Sequence, residues 1–154
     1  MNADLAILVL RVVVGGVVAM HGFLKLGWVG KGGSIAGVAG WFNGIGLRPG
    51  IFWALVATLA EAGGGTLMVL GLGGPIGPGI VAGDLVVVAI VAHWPQGFWA
   101  GGGKVGWEFP VPLAAAAWVA ESGADRESGA AATPTVRPAS TRTPSATGAT
   151  TPTP

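Results

Sequence analysis

Apolar residues occur along the chain in long runs that are separated by glycine-rich segments. The first run covers residues 5–26, which is about 33 Å of α-helix at 1.5 Å per residue and matches the ~30 Å hydrocarbon layer of a bilayer. No basic segment precedes this run and no small-residue cleavage motif follows it. We therefore interpret it as a membrane span rather than a signal peptide.

Three further apolar runs predict three more membrane helices. The second span covers about residues 51–72 and the third about residues 79–94. Glycines and prolines at 73–78 predict a tight turn that packs these two spans antiparallel. The fourth stretch is placed at residues 108–124, because its apolar part alone gives only about 17 Å of helix. The pattern predicts an all-α fold, a four-helix transmembrane bundle.

The first connection and the C-terminal segment differ from the spans in composition. After Ser34, a residue type that favours helix N-caps, apolar residues recur at helical spacing and predict a short interfacial helix in the first connection. Residues 125–154 are rich in threonine, proline and alanine and contain little that could enter a core. The sequence therefore predicts a membrane domain over residues 1–120 and a disordered tail over 125–154.

Composition narrows the class of protein. Of 154 residues, 51% are hydrophobic and only 10% are charged, against about 25% charged in ordinary soluble domains. The chain has no cysteine, which excludes disulfide frameworks, iron–sulfur clusters and thiol catalysis. A net charge of +1 without a Lys/Arg cluster argues against nucleic-acid binding. We predict no metal site, and the lipid bilayer is the expected environment.

Tryptophan placement supports the four-span arrangement. Six of the seven tryptophans lie in or beside the first and third connections: Trp28, Trp41, Trp53, Trp94, Trp99 and Trp107. Four antiparallel spans bring these connections to one face, which we call the tryptophan-rich face, and tryptophan prefers the headgroup level. Lysines and arginines flank the same face, so the positive-inside rule favours a cytoplasmic location for it.

The ionisable residues inside the apolar runs are the candidates for function, because each costs a few kcal/mol in hydrocarbon unless it is paired or hydrated. Seven occur in or next to the predicted spans: Arg11, His21, Lys25, Glu61, Asp84, His93 and Glu108. On the first helix, Arg11, His21 and Lys25 fall within an arc of about 80° and share one face. Glu61 lies near the middle of the second span.

Depth along the spans sorts these residues into two groups. Arg11 and Asp84 lie toward the face that carries the termini, and we predict a structural ion pair between them. The others lie toward the tryptophan-rich face, except Glu61, which lies at a depth between the two groups. These five are the candidate catalytic residues: His21, Lys25, Glu61, His93 and Glu108. Asp84 and His93 are nine residues apart, about 180° on a regular helix. A pocket containing both requires a kink in the third span or a third helix that is flanked on two sides.

Several roles are open for this candidate pocket. It is suited to hydrogen bonding a quinone carbonyl or to relaying protons. His21 and His93 are alternatively the axial ligands of a haem. A purely structural role is the other alternative, with Lys25 extending to the headgroups and the remaining polar side chains locking the helices together.

Five motifs in a fixed order resemble the DoxX family of small four-helix membrane proteins. Following Arg11, they are His21-Gly22-x-x-Lys25, a glycine-rich loop, Glu61-x-x-Gly64-Gly65 with a Leu-Gly-Leu ending at Leu72, His93-x-Pro95-x-Gly97-Phe98, and Trp107-Glu108-Phe109-Pro110. The resemblance covers roughly residues 5–120. The short fourth stretch and the threonine- and proline-rich tail depart from the family pattern.

The resemblance implies a multi-pass protein of the bacterial inner membrane that is related to the small subunits of thiosulfate:quinone oxidoreductase. The leading function is then that of a membrane subunit in a quinone-linked redox complex of sulfur metabolism or oxidative stress, with an oxidoreductase activity that draws electrons from a redox partner protein. The alternative is a non-enzymatic membrane scaffold or chaperone-like assembly protein. Homo-oligomerisation is compatible with both functions.

Overall fold

A computed structural model of the protein describes residues 3–132, with side chains placed through residue 123. Every regular element in this range is a helix. The five helices are α1 (Ala3–Lys25), α2 (Ile35–Gly44), α3 (Gly50–Leu70), α4 (Ile76–Gln96) and α5 (Pro110–Ala132). Of these, α1, α3 and α4 are long and apolar enough to cross a membrane.

Two of the long helices change their winding part-way along. In α3, the segment Ala60–Gly64 is a π-helix, and in α4 the segment Ala89–His93 is a π-helix that leads into a 3₁₀ turn at Trp94–Gln96. Single π turns inside α-helices are rare and are often found at functional sites. Both of these turns lie in the region where the sequence places its ionisable residues.

The predicted elements agree with the structure at the first three spans. Helices α1, α3 and α4 begin and end within three residues of the predicted bounds. The turn at residues 71–75 joins α3 to α4 as predicted. The predicted N-cap of α2 is also confirmed, since Ser34 Oγ accepts a hydrogen bond from the backbone N–H of Gly37 at 3.1 Å.

The C-terminal part of the described chain differs from the prediction. Helix α5 runs to Ala132, past the predicted end of the fourth stretch and into the segment that was expected to be disordered. Residues 124–132 are rich in alanine, which has the highest helix propensity. Since charged residues follow Glu121, the described residues contain three apolar helices of spanning length rather than four. Residues 133–154 lie outside the described residues.

The core is formed jointly by α1, α3, α4 and α5. Its buried residues are Val14, Val18, Met68, Val81, Ala82, Leu85, Ala114, Ala117 and Ala120. Glycines bring the helix backbones into contact around it: Gly22 packs against Ala62, and Gly77 against Met68, with no space for a side chain at either glycine. Such contacts between small residues are typical of helices that pack closely in a membrane.

The glycine contacts also fix how far the helices extend relative to one another. Helix α1 ends at Lys25, three residues after Gly22, whereas α3 begins at Gly50, twelve residues or about 18 Å before Ala62. Helix α2 occupies this interval. Gly33, just before α2, packs against Leu24 of α1, and Gly50 packs against Ala39 of α2.

Helix α2 is the short helix predicted in the first connection, and it packs against the start of α3. The two helices form a hairpin, in which the backbone N–H of Gly50 donates to Asn43 Oδ1 at 2.8 Å. Ala39 is buried in this contact. Helices α1 and α2 thus line the same side of α3, one after the other, with an interruption between them at residues 26–34.

Candidate functional site

An ion pair connects α1 to the π turn of α3. Lys25 Nζ lies 2.6 Å from Glu61 Oε1, and it is the one salt bridge found within residues 3–123. The Glu61 residue is only 7% exposed, and the Lys25 side chain is 22% exposed. A lysine that ends a helix in the bundle interior is therefore neutralised by a buried carboxylate from its neighbour.

The ion pair lies at the wall of a cleft that has two lobes and a largely apolar lining, to which several ionisable side chains contribute. The first lobe, about 460 Å³, lies between α1, α2, α3 and α4 and includes Lys25. The second, about 580 Å³, lies between α1, α4 and the start of α5. Both lobes are lined by His21, Glu61, Asp84, Val88 and His93. Each volume is within the range of about 300–1,000 Å³ that is usual for ligand sites.

The π turn of α4 explains how Asp84 and His93 line the same cleft. On a regular helix their separation of nine residues would place them on opposite sides. A π turn adds one residue to the winding and so rotates the later residues of the helix by about 100°, which reduces the angle between the two side chains to about 80°. The kink that a shared pocket requires is this π turn, Ala89–His93.

The two histidines are oriented by backbone carbonyls. Nδ1 of His21 lies 2.9 Å from the carbonyl oxygen of Val17, and Nδ1 of His93 lies 2.6 Å from that of Val105. A carbonyl only accepts hydrogen bonds, so Nδ1 carries the proton in both rings. In a neutral ring Nε2 is then left as an acceptor, and in a charged ring it is a second donor.

Two carboxylate oxygens in the cleft have no protein partner. Glu61 Oε2 and Asp84 Oδ2 are buried and make no hydrogen bond with any described group. A buried polar atom in this state is costly unless water or a ligand satisfies it. The described residues include no cluster of three or more histidine, aspartate or glutamate side chains that could hold a metal ion.

Glu108 does not join the other candidate residues. Its Oε1 accepts a hydrogen bond from the backbone N–H of Ala100 at 2.6 Å, and its own N–H donates to the carbonyl of Phe98 at 3.2 Å. It is not among the residues that line either lobe. Glu108 instead holds together the loop between α4 and α5, where Trp94 and Trp107 also stack with ring centroids 5.7 Å apart.

The predicted ion pair between Arg11 and Asp84 does not form in the structure. Nε and Nη2 of Arg11 are buried without a hydrogen-bond partner, and its Nη1 lies beside Gly71 at the end of α3. Asp84 is instead placed in the cleft with Glu61. The reason is axial register: the backbone contacts put Asp84 level with Glu61, whereas Arg11 lies near the turn that joins α3 and α4.

Sequence reasoning missed that Asp84 belongs to the cleft. The separation of Asp84 and His93 argued against it, and nothing in the local sequence indicates a π turn. One signal was present in the spacing. Glu61 is four residues from Gly65 and Asp84 is three residues from Val81, both of which are buried, and residues three or four apart share a helix face.

Comparison with known protein families identifies the DoxX family. Its model matches residues 6–94, which is more than half of the chain and runs from Ala6 in α1 to Trp94 in α4. The matched range contains all five ionisable side chains of the cleft, whereas Glu108 and α5 lie beyond it. No curated protein and no solved structure matches the chain.

Proposed function

The chain belongs to the DoxX family, and on this premise we propose that it is the membrane subunit of a quinone-linked redox complex. The family match and the apolar helices support an integral membrane protein. We further propose that α5 completes a four-helix bundle in a bacterial inner membrane, with the tryptophan-rich face toward the cytoplasm. The proposed binding site for the quinone head is the cleft between α1, α3 and α4.

One observation carries the proposal: ionisable side chains from three apolar helices meet in one cleft of suitable size. They are His21, Lys25, Glu61, Asp84 and His93. Ionisable residues in membrane helices are costly and generally mark ligand or proton pathways. Residues that served only to lock the helices would be expected to satisfy one another, yet two of the carboxylate oxygens have no partner.

The side chains fit the head of a quinone, which reacts by accepting electrons and protons. Lys25 has three N–H donors, of which one is used by Glu61. Lys25 is therefore a suitable donor to a carbonyl oxygen, and His21 and His93 become donors through Nε2 when charged. Asp84 and Glu61 are placed to hold protons. Because the chain has no cysteine for thiol or iron–sulfur chemistry, we propose that a redox partner protein supplies the electrons.

A non-enzymatic scaffold is the second candidate. It is favoured by the ion pair and the glycine contacts, which tie α1 firmly to α3. In that function the same polar residues stabilise the bundle, and exposed apolar faces such as those of Leu8 and Val13 on α1 contact lipid or a partner protein.

The two functions are separated by purifying the protein from membranes in detergent and measuring bound lipid quinone. We expect quinone to copurify with the wild type and with Lys104→Gln, whose side chain is exposed in the loop after α4. It should be lost from Glu61→Gln and His93→Ala, provided that size-exclusion chromatography shows them folded. A wild type that carries a stoichiometric protein partner and no quinone would support the scaffold instead.

A further inference from the structure

We infer that the cleft is a water-filled channel with one opening, at the end of the bundle where His93 and Val105 lie, and with its floor at Glu61 and Asp84. Water and protons then exchange with these carboxylates from the tryptophan-rich face alone. The inference about access rests on helix packing. Only its last step, that the protons serve a quinone, rests on the proposed function.

The two carboxylates lie about half-way along the bundle. Glu61 is eleven residues after the start of α3 at Gly50 and nine before its end at Leu70, or about 16 Å and 14 Å along the axis. Gly64 packs against Ile80, and since α4 runs antiparallel to α3, Asp84 is level with Glu61. Both groups are thus far from either end of the helices.

Between α1, α3 and α4, the half of the bundle toward the turn at residues 71–75 is packed. Val14, Val18, Met68 and Val81 are at most 3% exposed, and they form one packed cluster directly beyond Glu61. In the same half, Gly15 lies against the backbone of Gly65. On this side the cleft reaches Val17 and Val18 of α1, about one turn past Glu61, and neither lobe is lined by Val14 or Met68.

The half toward the tryptophan-rich face is open. The first lobe is lined there by the unwound segment between α1 and α2, including Gly32 and Gly33. Non-helical backbone at membrane depth occurs only where it is buried in protein or lines a water-filled cavity. His93 lies farther along the cleft than Asp84 and bonds to Val105, an exposed residue of the loop after α4.

The unpartnered carboxylate oxygens are the second observation that points to water. Glu61 is more than nine-tenths buried, lines both lobes and leaves Oε2 without a partner, as Asp84 does with Oδ2. Water that enters from the open end supplies the missing hydrogen bonds.

One-sided access determines where the protons of the proposed reaction come from. Reduction of one quinone to quinol consumes two electrons, which the partner protein supplies, and two protons, which form the two O–H bonds. If the protons reach the head group through Glu61 and Asp84, both are taken up from the tryptophan-rich side of the membrane. None crosses the packed half of the bundle.

Cysteine labelling tests the inference directly, because the natural chain has no cysteine to give a background. Val88→Cys lies in both lobes, and Val86→Cys, on the same helix but outside both lobes and 49% exposed, is its matched control. A membrane-impermeant charged maleimide is applied to sealed vesicles of each orientation. Lys104→Cys, in the exposed loop, reports which face the reagent reaches.

We expect Val88→Cys to react at least tenfold faster than Val86→Cys, and only from the face that labels Lys104→Cys, because thiol reactivity requires the hydrated thiolate. Ala57→Cys, in the first lobe, and Val56→Cys, exposed beside it, repeat the comparison on α3. Equal rates within both pairs, or labelling of the cleft positions from the opposite face, would overturn the inference. Neither result would alter quinone copurification, so the two proposals fail separately.

Discussion

Lys25 and Glu61 are joined by a 2.6 Å ion pair across the interface of α1 and α3, although they are 36 residues apart in the chain. The contact ties the last residue of α1 to a π turn in the middle of α3. It is the point at which the fold and the candidate site depend on the same two side chains.

Breaking this ion pair should destabilise the protein, and removing both charges should restore much of the loss. We expect Lys25→Met or Glu61→Gln alone to cost about 3–5 kcal/mol, because each leaves a buried group without its partner. The double variant should be more stable than Lys25→Met. Thermal unfolding in detergent gives the comparison, and strictly additive losses would contradict a direct pair.

Arg11 and Asp84 should behave as independent residues. Since they are not in contact, the effects of Arg11→Gln and Asp84→Asn on the free energy of unfolding should add to within about 0.5 kcal/mol. The same unfolding assay measures this. A coupling as large as that between Lys25 and Glu61 would mean that the sequence-based pairing is right and the axial register is not.

The contact of Gly22 with Ala62 should not tolerate a methyl group. Gly22→Ala forces the backbones of α1 and α3 apart, and overpacking of this kind costs about 1–3 kcal/mol. Gly16→Ala, on the same helix with no atom near its Cβ position, is the matched control and should be neutral or slightly stabilising. Melting temperatures that fall equally for both variants would contradict the close approach.

Glu108 should affect the loop after α4 and leave the cleft intact. Glu108→Ala removes the acceptor for the N–H of Ala100, so we expect faster cleavage by trypsin after the exposed Lys104. Glu108→Gln keeps an acceptor oxygen and should be cleaved at the wild-type rate. Mass spectrometry of the fragments measures the cleavage rates of the two variants. Quinone binding should be unchanged in both, because Glu108 lies outside the cleft.

Much of the fold was predictable because it depends on local pattern. The apolar runs determine α1, α3 and α4 by length and hydropathy alone, and a serine before a helical repeat was enough to locate the start of α2. The membership of the DoxX family, inferred from motifs such as His21-Gly22-x-x-Lys25, is confirmed by the match over residues 6–94.

The rest depends on contacts between helices that no single segment specifies. The chain has 29 glycines, and the sequence does not distinguish Gly22, which lies against another backbone, from Gly16, where an added Cβ would meet no atom within 4 Å. Axial register is set by those contacts, and so are the placement of Asp84 in the cleft and the separation of Arg11 from it. The π turn that brings His93 into the same cleft as Asp84 is likewise not marked by any pattern in the local sequence.

The interruption between α1 and α2 has an electrical consequence. With water reaching Glu61, the low-dielectric barrier of the protein is reduced to its packed half, which is about 14 Å thick from Glu61 to the end of α3. A membrane voltage then falls mainly across that half. An elementary charge that moves between the floor of the cleft and the far side therefore crosses most of the membrane potential, and crossing all of it is worth about 2.3 kcal/mol per 100 mV. Protonation of the floor from the open side is correspondingly coupled only weakly to the membrane potential.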